Sequence, residues 1–330
     1  MKTFVIAEAG SNHNGDFKNA IKLIDIAKQS GASAVKFQTA KSENLYAVNT
    51  PPIAGHTDVR ALIKSIELPR EWQPELKSYC DEIGIEFMST PFDEEAVQQL
   101  VDIGVSRLKI AGFESSDFRF VEMVASTKLP LIISIGIGFP MKYIGKILNI
   151  CEKYDNNLTL LHANNAYPTP MSDVDLSKIQ MLRAFRGVSQ VGLSDHTTST
   201  LTPALAVAAG ADVIEKHFTI DRSMEGPDHP FAMEPDELYE MITNIQTAEL
   251  AVKTHTTQYT PSEVEFSKAR RSVVSRIDLK AGDILTADNI TTMRPLLENS
   301  IPAMEYENVL GRVVTKDTPA FHTLDKNFLR

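Results

Sequence analysis

Through residues 4–253, short apolar runs rich in β-branched residues alternate with longer segments of helical periodicity. The eight apolar runs are 4–9, 34–38, 86–89, 107–111, 131–135, 158–163, 188–193 and 212–218. Eight strands, each followed by a helix, are typical of a (β/α)8 TIM barrel, whose active site is built at the carboxyl ends of the strands. A doubly wound open sheet is the alternative, but the even spacing of the eight units favours a closed barrel.

Composition excludes several classes of protein. The formal net charge of −10 argues against a nucleic-acid partner, because phosphate backbones recruit basic surfaces. The two cysteines, Cys80 and Cys151, are far apart and form no CxxC pattern, so neither a disulfide framework nor a thiolate metal site is predicted. No apolar stretch approaches the roughly eighteen residues of a membrane span, and the first residues lack the apolar region of a signal peptide. We therefore expect a cytoplasmic protein with no membrane partner.

Two histidines follow consecutive predicted strands. His196 comes just after the run 188–193, and His217 lies near the end of the run 212–218, with a helical segment between them. The strands of a βαβ unit run parallel, so both imidazoles are expected at the same end of the barrel. Imidazole is the commonest protein ligand for a divalent metal, and the pair therefore predicts a two-histidine metal site. A hydrogen-bonded pair without metal is the alternative.

Charged residues interrupt strands that should be apolar, because a parallel barrel covers both faces of each strand. They are Glu8, Lys36, Lys109 and Glu215, together with Lys216. Lys36 shares its parity with Gln38, and Glu215 shares its parity with His217, so each of these pairs can face the barrel axis. Two inward lysines beside a metal would form an anion site suited to phosphate or carboxylate. Mutual pairing of Glu8, Lys36, Lys109 and Glu215 is the alternative. Lys216 has the opposite parity to His217, and we interpret it as a structural, outward-facing residue.

Other polar residues lie at or just beyond the predicted strand ends, where barrels place catalytic groups. They are Ser11, Asn12, His13, Gln38, Thr90, Glu114, Asn164, Asn165, Tyr167, Ser194 and Asp228. Taken singly, each is explained equally well as a turn-forming residue. Their common position at one end of the barrel makes them candidates for substrate binding.

Three segments lie outside the regular repeat. The long connection 39–69 follows the second strand and is a candidate lid over the mouth. We predict that the barrel is residues 1–253, that 254–268 is a polar linker, and that 269–330 is a separate small domain. The small domain has its own signals, including a strand in SVVSRI, a turn at 280–283 and a short helix capped by Thr286.

Eight short motifs resemble those of one known family. They are IAEAGSNHNG, AVKFQTA, MSTPFD, LKIAGFE, YPTP, VGLSDHT, EKHFT and GPDH, and they occur in the order typical of the sialic acid synthases, the phosphoenolpyruvate-dependent nonulosonate synthases. The last module is similar to the antifreeze-like (SAF, β-clip) domain of that family. The resemblance covers essentially the whole chain.

The resemblance implies an activity and its cofactor. Phosphoenolpyruvate would condense with the open-chain aldehyde of N-acetylmannosamine to give N-acetylneuraminate, a nine-carbon 2-keto-3-deoxy acid, and phosphate. A divalent metal would be held by His196 and His217, with Mn²⁺ expected first and Mg²⁺ or Co²⁺ as alternatives.

The resemblance also assigns roles to other residues. Phosphoenolpyruvate would be bound by Lys36, Thr90, Lys109, Asn165 and Ser194. Glu8 and Glu114 would be acid/base or charge-stabilising carboxylates. The sugar would contact Gln38, Tyr167 and Asp228. Arg294 matches an arginine that reaches into the partner subunit's site, which implies a domain-swapped homodimer.

Three departures from the family pattern leave the sugar open. Gly112 stands where a serine is common, SIGIG replaces Ser-Thr-Gly-Met after the fifth strand, and HANNAYP replaces a His-Cys stretch. Legionaminate or pseudaminate synthesis from a di-N-acetylated deoxyhexose is the alternative to N-acetylneuraminate synthesis. More distant alternatives are a metal-dependent aldolase and a non-catalytic carbohydrate-binding protein.

Overall fold

Eight parallel strands form the central sheet in the computed structural model, which describes residues 3–253 and 259–330. They are β1 (Phe4–Gly10), β2 (Ala34–Thr39), β3 (Glu86–Pro91), β4 (Leu108–Ile110), β5 (Leu131–Ile135), β6 (Leu158–Ala163), β7 (Gln190–Asp195) and β8 (Val213–His217). Their order is β3-β2-β1-β8-β7-β6-β5-β4. The two ends of this order, β3 and β4, pack side by side and close the barrel. The predicted (β/α)8 fold is confirmed, although β7 begins two residues later than expected.

Helices cover the outside of the barrel. They are α1 (Phe17–Ser30), α2 (Ser42–Leu45), α3 (Val59–Ser65), α4 (Gln73–Ile83), α5 (Glu94–Asp102), α6 (Phe118–Ala125), α7 (Ile144–Tyr154), α8 (Ser177–Arg183), α9 (Thr202–Ala208) and α10 (Pro235–Ala251). The helix α1 illustrates why they form. Asp16 caps its first turn by accepting from the Lys18 amide, Leu23, Ile24 and Ala27 bury one face, and Gly31 ends it with φ at 89°. The short helices α2 and α3 lie within the connection that was expected to be a loop.

The interior of the barrel is filled in layers, because alternate residues of each strand point inward. One apolar layer consists of Ile6, Ala34, Met88, Ile132, Leu161 and Val213. Two residues further along the same strands come Glu8, Lys36, Thr90, Ser134, Ala163 and Glu215. A closed apolar layer therefore supports a layer dominated by buried polar groups at the carboxyl ends of the strands.

Within the described part of the chain, residues 259–330 belong to a second compact unit, separate from the unit that contains the barrel. It contains an antiparallel pair, β9 (Ser272–Ser275) and β10 (Ile290–Met293), and the short helix α11 (Tyr306–Val309). Its small core includes Val273, Leu285, Ile290 and Leu324. The helix expected after Thr286 is wrong: the amides of Asn289 and Ile290 both donate to the Thr286 carbonyl, which makes a single turn directly before β10.

The predicted linker falls only partly within the described residues. Residues 254–258 lie outside them, whereas Pro261–Glu263 and Glu265–Ala269 form two 3₁₀ turns. Within the described ranges, no helix has the length and apolar character needed to cross a membrane.

Candidate active site

A buried ion pair lies at the centre of the polar layer. Lys36 Nζ on β2 is 2.6 Å from Glu8 Oε2 on β1 and donates to Thr90 Oγ1 on β3 at 2.8 Å. Gln38 Nε2 donates to Glu8 Oε1 at 2.8 Å. Lys36 and Glu8 are 2% and 1% exposed, so their charges are removed from water and depend on one another.

Glu215 on β8 links this pair to a second lysine. Its Oε1 atom is 3.7 Å from Lys36 Nζ and 3.8 Å from Lys109 Nζ. Ser194 Oγ donates to the same oxygen at 3.2 Å, and Lys109 Nζ donates to Ser134 Oγ at 2.8 Å. The four inward charges therefore do pair with one another, as the alternative interpretation held, and they do so while facing one cavity.

The pKa values of the two carboxyl groups in this cluster are shifted in opposite directions. Burial, with a contribution from Glu215, raises the pKa of Glu8 to about 7 against the opposing effect of Lys36. Burial also acts to raise the pKa of Glu215, but Lys109 and Lys36 outweigh it and hold that pKa well below its usual range. Glu8 is therefore the carboxyl group that can take up or release a proton near neutral pH.

The two histidines meet at the neighbouring ends of β7 and β8. Their ring centroids are 5.6 Å apart, with an angle of 50° between the planes. His196 Nδ1–H donates to the carbonyl oxygen of Asn164, which leaves the Nε2 lone pair available. Burial lowers the pKa of His196 to about 4 and also lowers the pKa of His217, so both rings are neutral at pH 7. A neutral imidazole with one fixed tautomer is the form that binds a metal.

The residues present fit a metal that keeps open coordination positions. His217 Nδ1 is buried without a hydrogen-bond partner among the described residues, and Asp228 Oδ2 is 4.0 Å from it. No group of three or more His, Cys, Asp or Glu side chains within 3–253 and 259–330 is arranged to hold a metal. A metal bound to this histidine pair would therefore take its remaining ligands from water or substrate.

Tyr167 and Phe231 form an aromatic wall beside the histidines. The Tyr167 ring centroid is 4.2 Å from that of His196, and Phe231 lies 5.4 Å from Tyr167 and 5.2 Å from His217. Sequence reasoning missed Phe231, although it stands three residues after Asp228 in the same loop. Tyr167 is 44% exposed and can pack against the apolar face of a sugar, whereas Phe231 is buried and supports the Tyr167 ring.

Asp228 contacts the segment after β1, and Asn165 contacts the segments after β4 and β5. The Ser11 amide and Ser11 Oγ donate to Asp228 Oδ2 at 3.3 and 2.9 Å. Asn165 Oδ1 is buried without a hydrogen-bond partner among the described residues. Its amide packs closely against Gly112 and Gly136, where a Cβ atom would lie 3.1 and 2.3 Å away. A polar atom left unpaired at this position is suited to a ligand donor.

Most of the predicted residues line a single cavity. These are Glu8, Lys36, Gln38, Thr90, Lys109, Asn165, Tyr167, Ser194, His196 and His217. Ser134 and Glu215 line it too. Glu215 had been placed inward without a role in substrate binding, whereas Ser134 was missed, although period-2 alternation from Ile132 would have placed it inward.

Three residues with a predicted role are not among those that line this cavity. One is Asp228, whose Oδ2 atom lies 4.0 Å from His217 Nδ1. Glu114 is half-buried in the 3₁₀ turn Glu114–Ser116 after β4 and is not among the residues that line the cavity. Burial raises its pKa. Arg294 belongs to the second unit, directly after β10, and its contact with a partner's site stays a prediction.

Comparison with known proteins identifies the family. Residues 23–257 match the NeuB family, and residues 270–320 match the SAF domain. The chain is 38% identical over 328 residues to the N,N'-diacetyllegionaminic acid synthase of Campylobacter jejuni, which covers 96% of this chain and 97% of that protein. It is 32% identical to the N-acetylneuraminate-9-phosphate synthase of Homo sapiens, over 94% of this chain and 88% of that protein.

A solved structure agrees with these matches. The N-acetylneuraminic acid synthetase of Leptospira borgpetersenii, crystallised with citrate, superposes with a TM-score of 0.74 at 33% identity, over 81% of this chain and 90% of that chain. The described fold, the barrel-mouth site and these relatives agree, and the chain belongs to the NeuB family of sialic acid-type synthases, with a C-terminal SAF domain.

Proposed function

We propose that this protein condenses phosphoenolpyruvate with the open-chain aldehyde of an N-acetylated amino sugar. Carbon 3 of phosphoenolpyruvate forms a bond to the aldehyde carbon, water adds at carbon 2, and phosphate leaves, giving a nine-carbon 2-keto-3-deoxy acid. The observation that carries the proposal is the juxtaposition of two buried lysines with two neutral imidazoles at one barrel mouth. An anionic donor and a carbonyl acceptor need these two kinds of group side by side.

The anionic donor fits the lysine side of the cavity. Lys36 and Lys109 provide positive charge, and the hydroxyl groups of Thr90, Ser134 and Ser194 surround them. Burial lowers the pKa of Lys109 to about 8, partly opposed by Glu215, and an incoming phosphate or carboxylate would restore its full charge. We assign these groups to binding the phosphate and carboxylate of phosphoenolpyruvate.

The acceptor aldehyde fits the histidine side. His196 and His217 would hold a divalent metal, Mn²⁺ in the first place and Mg²⁺ or Co²⁺ as alternatives. When bound there, the metal would act as a Lewis acid toward the aldehyde oxygen. Asp228, fixed through Ser11, and the ring of Tyr167 would orient the sugar. Glu8, whose Oε1 is held by Gln38, would exchange a proton at Oε2 during the addition steps.

For the acceptor we propose a di-N-acetylated deoxyhexose, which makes the product a legionaminate-type acid. Identity of 38% to a legionaminic acid synthase, against 32% to the human N-acetylneuraminate-9-phosphate synthase, favours this choice over N-acetylmannosamine. N-acetylmannosamine is the second candidate, because the structural relative at 33% identity is an N-acetylneuraminic acid synthetase. We also propose a domain-swapped homodimer in which Arg294 reaches the partner's site.

A screen of amino sugars tests this function. Each sugar is incubated with phosphoenolpyruvate and Mn²⁺, and both released phosphate and product mass are recorded. The proposal expects phosphate release only with an acceptor, and the best turnover with a di-N-acetylated deoxyhexose. A metal-dependent aldolase would instead use pyruvate and release no phosphate. A non-catalytic carbohydrate-binding protein would turn over none of the sugars.

A further inference from the structure

A second buried ion pair lies directly behind the two histidines. Asp195 and Lys216 are opposite partners in the ladder between β7 and β8, and each precedes one of the histidines in sequence. Lys216 Nζ is 2.6 Å from Asp195 Oδ2, and the two side chains are 1% and 2% exposed. The pair therefore connects the ends of β7 and β8 at the residues that directly precede the two histidines.

The Lys216 ammonium also binds Thr197, the residue that follows His196. It donates to the carbonyl oxygen of Thr197 and is 3.3 Å from Thr197 Oγ1. Asp195 in turn accepts from the Thr197 amide at 2.9 Å and from Thr197 Oγ1 at 3.1 Å. Residues on both sides of His196 are thus tied to a side chain that neighbours His217.

These groups do not touch the substrate cavity. Asp195 and Lys216 have the opposite parity to Ser194 and Glu215, and they are absent from the residues that line the cavity. Their interactions lead instead toward α9, where Thr197 Oγ1 is 3.3 Å from Thr202 Oγ1. Any influence on the reaction must therefore pass through the backbone that carries the histidines.

Stability alone is a weak explanation for such a pair. Removing two charges from water costs about as much as their attraction returns, and apolar replacements are often neutral or stabilising. A buried charge pair with fixed geometry can, however, define the position of the segments it joins. Groups that orient metal ligands from behind commonly change metal affinity about 10- to 100-fold when removed.

We propose that Lys216, with Asp195, is a positioning residue that fixes the separation of the His196 and His217 imidazoles for a divalent metal. This inference rests on the proposed metal site. It assigns to Lys216 a role beyond the structural one that its outward parity predicts. The Lys216 ammonium fixes the positions of Asp195 and the Thr197 carbonyl, the groups on either side of His196. The distance between the His196 and His217 imidazoles is fixed as a result.

The test measures Mn²⁺ binding to the full-length protein without substrate, using the electron paramagnetic resonance signal of free Mn²⁺. Wild type, Lys216→Met, Asp195→Asn/Lys216→Met and Arg70→Met are compared. Arg70, which is buried, is 2.5 Å from the half-buried Asp93 on the β3 side of the barrel, so Arg70→Met controls for loss of a buried cation. Thermal unfolding of each variant reports stability separately from affinity.

The proposal expects the Mn²⁺ dissociation constant to rise at least about 10-fold in Lys216→Met and to stay within about 2-fold in Arg70→Met. The double variant leaves no uncompensated charge, so it should regain thermal stability while its affinity stays weak. Unchanged affinity in Lys216→Met, or full recovery of affinity in the double variant, overturns the positioning role. Absence of Mn²⁺ binding by wild type overturns the metal site itself, and the two failures are thereby distinguished.

If Lys216→Met does not fold, Asp195→Asn is measured alone. The side chain keeps its size and one acceptor oxygen, but it loses the charge and places an NH2 donor where the second oxygen accepted, so Mn²⁺ binding should weaken by several-fold. An Asp195→Asn protein with wild-type affinity overturns the proposal.

Discussion

The imidazoles of His196 and His217 lie with their centroids 5.6 Å apart, although the two residues are separated by a helix and 20 intervening positions. Their proximity follows from the parallel ladder between β7 and β8, in which Asp195 pairs with Lys216. Successive strands of a barrel bring residues at equivalent positions together at one end. The pairing of β7 with β8 therefore determines where the two imidazoles lie. The contribution of each residue at the site can be tested by substitution.

Replacement of His196 by Ala should abolish turnover while the fold is retained. The ring contributes one of two proposed metal ligands, and even groups behind a ligand change activity about 10- to 100-fold, so we expect a loss of at least about 100-fold. Turnover with saturating Mn²⁺ and the thermal unfolding temperature are the two measurements. His56→Ala, at an exposed position, is the control. Full activity of His196→Ala would exclude the metal role.

Replacement of Lys36 by Met should impair both folding stability and donor binding. It leaves Glu8 and Glu215 buried without their shared cation, which costs about 3–5 kcal/mol when one partner of a buried pair is removed. Lys77→Met is the control, because the surface pair of Lys77 with Asp81 contributes less than about 1 kcal/mol. Urea unfolding gives the stabilities, and steady-state kinetics should show a raised KM for phosphoenolpyruvate. Equal stability of the two variants would contradict the account.

The stability of the protein should fall between pH 6.5 and 4 in part because of His162. Burial lowers the pKa of this histidine from 6.5 to about 4, so in this range the unfolded chain binds a proton that the folded protein does not. The contribution is full above pH 6.5 and is lost as the pH falls toward 4.

Substitution of His162 isolates this contribution. The loss of stability on acidification should be smaller in His162→Gln, by up to about 3 kcal/mol, as measured by urea unfolding at several pH values. His56→Gln, at a position exposed to solvent, is the control. A His162→Gln protein with the wild-type pH profile would refute this assignment.

Two glycines beside Asn165 should differ in their tolerance of a methyl group. At Gly136 a Cβ atom would lie 2.3 Å from Asn165 Oδ1 and 2.7 Å from the backbone oxygen of Ala163, which cannot move away easily. At Gly112 the closest atoms, 3.1 Å away, belong to the side chain of Asn165 alone. We expect Gly136→Ala to lose about 1–3 kcal/mol and Gly112→Ala less than about 1 kcal/mol. Thermal unfolding compares them, and the reverse order would show that the strand ends are packed differently.

Arg294→Ala should weaken use of the sugar without changing stability. The side chain is exposed on the second unit, so its removal should leave the unfolding temperature unchanged, whereas loss of a charged ligand contact should raise the KM for the sugar about 10-fold. Arg276→Ala, also exposed on that unit, is the control. Sedimentation establishes whether the protein is a dimer. An unaltered KM in a dimeric Arg294→Ala protein would exclude the contact across subunits.

The barrel and the inward charges were predictable because both depend on local periodicity. Alternation along each strand determines which side chains share a face, so Glu8, Lys36 and Lys109 were recognised as exceptions to an apolar pattern. The partners of these charges were not predictable in detail, since Lys36 pairs with Glu8 and Glu215 through the register of β1 with β2 and β8, which no sequence pattern records.

Features that depend on packing between distant segments were missed. Phe231 comes from a loop after β8, and its contact with His217 exists only because that loop folds back over the mouth. The same limit applies to the turn after Thr286, where the start of β10 prevented the helix that the capping residue suggested. Local sequence patterns identified the strands and the residue types of the site. Contacts between distant segments determined which side chains lie next to each of those residues.

The most direct test of the proposed chemistry is a count of phosphate released per molecule of product. Phosphoenolpyruvate, a di-N-acetylated deoxyhexose and Mn²⁺ are incubated with the enzyme, and phosphate and the nine-carbon acid are measured in the same sample. The proposed condensation releases one phosphate for each product molecule and no phosphate without the sugar. Product formed from pyruvate, or phosphate released at the same rate without any amino sugar, would contradict it.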